Sequence, residues 1–241
     1  MLFFKNHSYI SFNLSDFTFS TDIIWDIIKV GLPASLSMIV MAVGQGVFNK
    51  ILVHISVNTV AAYQVAGRLD MLVFLPIFSI AASLTTLVGM FYGAKEYGAL
   101  RYIIKYGIFS ALLITIISSI IVYIFAGNVV RFFTDDASIV IIAVNFLQIF
   151  AFAYPFIAVG ITTGRVLQGL GKGLPVLIIT IVRVLGVSAP LALFFVFIMD
   201  KTVEWVWYSM ILSTIVAFGI GLTWLVSTLK TLPASRQSLN N

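Results

Sequence analysis

Cysteine is absent from the 241 residues, which excludes disulfides, thiolate metal sites and cysteine nucleophiles. Charge is scarce too. Only 10% of residues are Asp, Glu, Lys or Arg, whereas 61% are hydrophobic, and soluble domains carry roughly a quarter charged residues. Histidine occurs twice, as His7 and His54. The chain shows no His-Glu metal pattern, no carboxylates at glycosidase-like spacing and no nucleophile beside a base, so its residues indicate neither an enzyme nor a metal or other cofactor. The net charge of +5 is spread between apolar runs rather than gathered in one patch, which argues against nucleic acid. The first residues, Met1 to Asn13, lack the layout of a cleavable signal because Lys5, Asn6, His7 and Ser8 interrupt them.

What is present is a succession of apolar runs. Several reach the roughly 20 residues that a helix needs to cross a hydrocarbon core of about 30 Å. The expected class is therefore an all-α polytopic membrane protein, with the lipid bilayer as its solvent. Residues 1–28 are expected to form a cytoplasmic N-terminal segment. Within it Ile23, Ile24, Trp25, Ile27 and Ile28 suggest an amphipathic helix lying in the interface. Residues 29–230 are expected to hold six transmembrane helices, near 31–54, 58–92, 102–125, 138–164, 175–199 and 203–229, and residues 231–241 to be a cytoplasmic tail. The second run would measure roughly 50 Å as a helix, so it must tilt, bend or protrude, and Pro76 is the expected bend.

Basic residues in short loops set the expected orientation. Lys95, Arg101, Lys105, Arg165, Lys172 and Lys230 fall on one side, while Asp135, Asp136, Asp200 and Glu204 accompany Arg131 and Lys201 on the other. Both termini are thus expected in the cytoplasm of a multi-pass protein of the cell membrane. Trp25 and Tyr102 are expected at the cytoplasmic boundary, and Tyr123, Trp205, Trp207 and Tyr208 at the outer one.

The stretch from Ala61 to Arg101, AAYQVAGRLDMLVFLPIFSIAASLTTLVGMFYGAKEYGALR, resembles the eighth helix and following loop of bacterial multidrug and toxic compound extrusion (MATE) transporters. The resemblance rests on Arg68-x-Asp70, Pro76 and the Gly89 to Lys95 exit. KVGLPASLS, from Lys29 to Ser37, looks like the entry to the family's seventh helix, and GRVLQGLGKGLP, from Gly164 to Pro175, looks like the loop after its tenth. The resemblance covers residues 22–230. It implies one six-helix lobe of a two-lobed antiporter that exports organic cations or other amphiphiles by alternating access in exchange for Na⁺ or H⁺. The other wall of the cavity would come from a missing N-terminal lobe or a second copy. It also implies a fragment, a truncated gene product or a half-transporter. An exporter of lipids or lipid-linked precursors with the same architecture is the alternative, kept open by Arg68 and Arg183, as is an inactive remnant. The carboxylates of the family's sodium-coupled branch have no counterpart here, since the corresponding spans offer Gln45, Asn49, Asn145 and Gln148.

Polar residues inside the spans are the candidates for a substrate or ion pathway. An ionisable side chain at a helix centre costs roughly 2.5 to 3.5 kcal/mol, so Arg68 and Asp70 each need a partner or water. Two positions apart, they point to nearly opposite sides of their helix. Asp70 lies roughly 18 Å from one end of its span and Arg183 roughly 12 Å from the opposite end of its own, which brings them to a common depth. Asp70 is expected to pair with Arg183, or with Arg68 through water, either as a structural lock or as a gate. Gln45 with Asn49, Gln64 with Arg68, and Asn145 with Gln148 share helix faces and would either line a cavity or bind helices together. Pro76, Pro155 and Pro190 would be hinges or static kinks. With two arginines against one aspartate, this wall alone offers a cation little attraction.

Overall fold

The protein was analysed as a computed structural model that describes residues 20–233; among these all regular structure is helical. The expectations for residues 1–19 and for the end of the C-terminal tail lie outside the described residues. Three long helices open the fold: α1 (Thr21–Ile55), α2 (Val57–Gly93) and α3 (Tyr97–Arg131). Next, α4 (Ala137–Ala151) and α5 (Tyr154–Gly169) share one broken span with a 61° bend. The fifth span, Leu174–Ile198, is a single rod, in which α6 (Leu174–Ile181) and α7 (Ala189–Leu193) alternate with π-helical Val182–Ser188 and Phe194–Ile198. The last is α8 (Val203–Thr231).

Two boundaries differ from expectation for one reason. Residues 22–28 form no separate interfacial helix but continue into α1, and α3 extends past both ends of 102–125. Apolarity marks the stretch that needs lipid, whereas the backbone ladder runs on into the headgroups as long as capping and propensity allow. The turn between α1 and α2 is a single extended residue, Ser56, whose Oγ accepts from the Thr59 backbone N–H at 3.0 Å. A serine there both ends one helix and caps the next.

The core forms around α2, which packs against α3, α4 and α5, while Leu174–Ile198 packs against α1 and α8. Ala62, Ala66, Ala81, Ala111 and Ala143 are fully buried. Small residues let backbones approach closely where lipid supplies no hydrophobic drive for association. Phe109, Leu113, Ile117, Ile120 and Ile124 of α3 are exposed, as expected of a wall that meets lipid. At the end carrying the basic loops, Gly169 lies so near α2 that a Cβ would come 2.7 Å from the Thr85 carbonyl, and one on Gly173 would come 2.7 Å from the Val30 carbonyl of α1. Gly169 and Gly173 are thus contact points for two helices, α2 and α1. Arg101 donates to the carbonyls of Leu229 and Leu232 at 3.3 and 3.1 Å, closing the C-terminus of α8.

The break between α4 and α5 has an identifiable cause. Pro155 has no N–H to offer the carbonyl four residues earlier, that of Ala151. In hydrocarbon an orphaned carbonyl is costly. The Ser119 hydroxyl of α3 donates to it instead, and Ala153 N–H bonds the Phe150 carbonyl at 2.8 Å. Pro76 and Pro190, by contrast, sit inside rods that remain continuous, so only Pro155 marks a discontinuity among the three expected hinges. Replacing Ser119→Ala is expected to cost about 0.6 kcal/mol, the average for an interhelical hydrogen bond in a membrane protein. A lower melting temperature in detergent, with Ser119→Thr closer to wild type, is the measurement that checks it.

Candidate functional site

The two faces of α2 separate its charges. Gln64 and Arg68, one turn apart, are exposed on the surface of the helix bundle, whereas Asp70 is half-buried on the side that carries Tyr63 and Phe74. Gln64 Nε2 donates to Asn49 Oδ1 of α1 at 3.2 Å, and Gln45, one turn before Asn49, is also exposed. Gln45, Asn49, Gln64 and Arg68 thus form a polar stripe along the α1 and α2 surface.

Asp70 does not take an arginine as its partner. Its carboxylate accepts a short hydrogen bond from the Tyr154 hydroxyl at the start of α5. The depth count that paired Asp70 with Arg183 took no account of which helices are neighbours. α2 packs on α5, while the rod carrying Arg183 packs on α1 and α8. Arg183 is the second residue of the first π-helical segment, Val182–Ser188. π-Helical turns concentrate at functional sites because they widen the helix and re-aim a side chain.

Asn145 and Gln148 do not join the stripe. Gln148 Nε2 approaches the Tyr123 carbonyl of α3 at 3.5 Å, and Asn145 Oδ1 is buried with no hydrogen-bond partner. Trp207 is fully buried within the helix bundle. It stacks on Tyr63 at 5.9 Å and meets Phe146 edge-on at 4.8 Å, with its Nε1 likewise unpartnered. Its neighbours Trp205 and Tyr208 are exposed.

Tyr154, Tyr63, Trp207 and Ser119 are the site residues that sequence reasoning missed. An aromatic hydroxyl directly before a mid-span proline was the available signal for Tyr154, because Pro155 places it at a helix start in the middle of the bundle. Among the described residues there is no group of three or more His, Asp and Glu side chains able to hold a metal ion.

Outside the spans, Asp136 caps α4. Its Oδ1 accepts from the Ser138 hydroxyl at 2.6 Å and from the backbone N–H groups of Ser138 and Ile139 at 2.8 and 3.3 Å. The Ser138 hydroxyl first, then those N–H groups, hold its carboxyl below the usual carboxylate range. A depressed pKa contributes stability that is present above the unfolded pKa and is lost as pH falls through the folded one. Asp136→Ala is therefore expected to lower the melting temperature at neutral pH, with the difference from wild type shrinking in acid; melting curves across pH check this.

Three comparisons bear on this arrangement. The family model described as MatE matches residues 33–194. NorM of Thermotoga maritima, described as a probable multidrug resistance protein, is 27% identical over 202 residues, which cover 84% of this chain and 44% of that protein. The multidrug export protein MepA of Staphylococcus aureus is 27% identical over 171 residues, or 71% of this chain and 38% of its own. A crystal structure of MATE in the straight conformation superposes with a TM-score of 0.89 at 30% identity, covering 96% of this chain and 52% of that one. The chain thus spans about half the length of the relatives it matches.

Proposed function

The chain belongs to the MatE family of membrane transporters, and from that premise we propose that it works as one lobe of a multidrug exporter, moving small amphiphilic or cationic compounds outward by alternating access. Influx of Na⁺ or H⁺ drives the exchange. The polar stripe of Gln45, Asn49, Gln64 and Arg68 forms this lobe's wall of the substrate pathway, and an N-terminal lobe or a second copy forms the other. By the positive-inside rule, the end carrying Lys95, Arg101 and Lys172 lies in the cytoplasm with both termini, and the membrane is the cell membrane.

One observation carries this reading. Arg68 and Gln64 are exposed on the bundle at a depth where lipid penalises an arginine by roughly 2.5 to 3.5 kcal/mol. A helix that folded with that face toward lipid would lose a large part of the gain from its apolar residues. The stripe is therefore best accounted for by a water-filled cavity. The counter-charge for a cationic substrate comes from the opposite wall, since the one interior carboxylate of this lobe is turned inward and engaged by Tyr154.

Cells producing the protein as its gene encodes it are expected to accumulate less of a lipophilic cationic dye than cells without it. Gln64→Leu, which keeps size and removes the polar surface, is expected to raise accumulation toward the control at unchanged membrane abundance. Equal dye levels with and without the wild-type protein would contradict the proposal.

A further inference from the structure

At the end of the fold that carries the basic loops, α3 and α8 meet along a seam. Leu100, Ile104 and Leu225 share one buried cluster there, with Leu229 and Leu232 packed on it. Arg101 crosses the seam to the carbonyls of Leu229 and Leu232. Both bonds come from Nη2, which leaves Nη1 and Nε without a partner among the described residues. Lys105, one turn further along α3, and Lys230, in the last turn of α8, are exposed. From Lys230 toward the membrane interior, α8 carries a shallow open groove of about 370 Å³, lined by Leu222, Thr223, Val226, Ser227 and Lys230 itself.

We infer that this seam binds an anionic phospholipid, its phosphate at Lys105, Lys230 and the unpartnered donors of Arg101, and one acyl chain along Leu222 and Val226. The hydroxyls of the groove are already committed to their own helix. Thr223 donates to the carbonyls of Gly219 and Ile220 at 2.9 Å, and Ser227 to that of Trp224 at 2.8 Å. A ligand in the groove thus meets a surface that is apolar in effect, and the donors left for it are cationic and gathered at one mouth. A phospholipid has the matching layout, with charge at one end and hydrocarbon below it. A partner helix would bring no such charge at that height and would leave the lysines unpaired.

Charge at this end of the fold supports the same occupant. Its acids, Asp22, Asp26 and Glu96, are fewer than its bases and sit at the start of α1 and just before α3. Anionic headgroups are drawn to basic pockets between helices on the cytoplasmic side. The long stems of Lys105 and Lys230 can lie on hydrocarbon while their ammonium groups reach the phosphates. Tyr102 and Tyr106, exposed and stacked at 6.4 Å, flank Lys105 with rings suited to the headgroup level. Phe109 and Leu113 continue that face of α3 as apolar, exposed surface.

Native mass spectrometry of the purified chain tests this, with the detergent carrying phosphatidylglycerol and phosphatidylcholine in equal amounts. Dye export is not read, so the outcome is independent of the exporter reading. Wild type is expected to retain phosphatidylglycerol in preference to phosphatidylcholine. Lys105→Ala and Lys230→Ala should each lower that preference about fivefold. Lys201→Ala, exposed at the opposite end, should leave it unchanged. Val226→Trp fills the groove and keeps every charge, so it should lower retention too, which an unshaped basic surface would not show. Excess inorganic phosphate should fail to displace the lipid. The proposal is overturned if the two lipids are retained equally, if Lys201→Ala matches Lys230→Ala, if Val226→Trp binds as wild type does, if phosphate displaces the lipid, or if the chain appears as a lipid-free dimer. Should Lys105→Ala fail to fold, Lys230→Ala and Val226→Trp decide the matter.

Discussion

Hydrocarbon has no means of solvating a charge or an unpaired backbone group, and this constraint shapes the lobe at every level. It forces all spans to be helical, because only a helix satisfies its own amides. It turns Asp70 toward the Tyr154 hydroxyl and makes the exposed position of Arg68 on the bundle costly unless water reaches it. It also explains the serine opposite the broken turn: a proline that frees a carbonyl in mid-membrane persists only where a neighbour takes that carbonyl. The apolar outer wall of α3 is the complement of this arrangement, with nothing on it that lipid would reject between Phe109 and Ile124.

The same constraint links structure to motion. A span that is broken and re-bonded by side chains can change its bend by exchanging a few hydrogen bonds, whereas an unbroken helix would have to lose its ladder. In this lobe the exchangeable bonds cluster within residues 150–155 and reach two neighbours, α3 through Ser119 and α2 through Asp70. The fifth span carries flexibility of another kind. Its π-helical segments let Arg183 and Pro190 occupy one continuous rod without a sharp kink.

The number of spans, their order, the family resemblance and the two-faced character of α2 were all legible in the sequence, because apolar run length and helical spacing are local properties. So was the special position of Pro155, as one of three candidates. Which proline would break its helix was not legible, since that depended on Ser119, a residue far away in sequence that presents a hydroxyl at the right height. Counting depth along each span said nothing of adjacency, so Tyr154 went unseen as the partner of Asp70. Nor did the sequence show that Trp207 packs against Tyr63 and Phe146, because contacts between helices are not a local property.

The central claim is that the face bearing Gln64 and Arg68 meets water while the outer face of α3 meets lipid. The native absence of cysteine makes a direct measurement possible: single cysteines at Gln64, Arg68, Ile117 and Ile120, with the rate of reaction with a charged maleimide read for each in native membranes. The account predicts labelling at 64 and 68 and none at 117 and 120. Protection of 64 and 68 equal to that of 117 and 120 would contradict it.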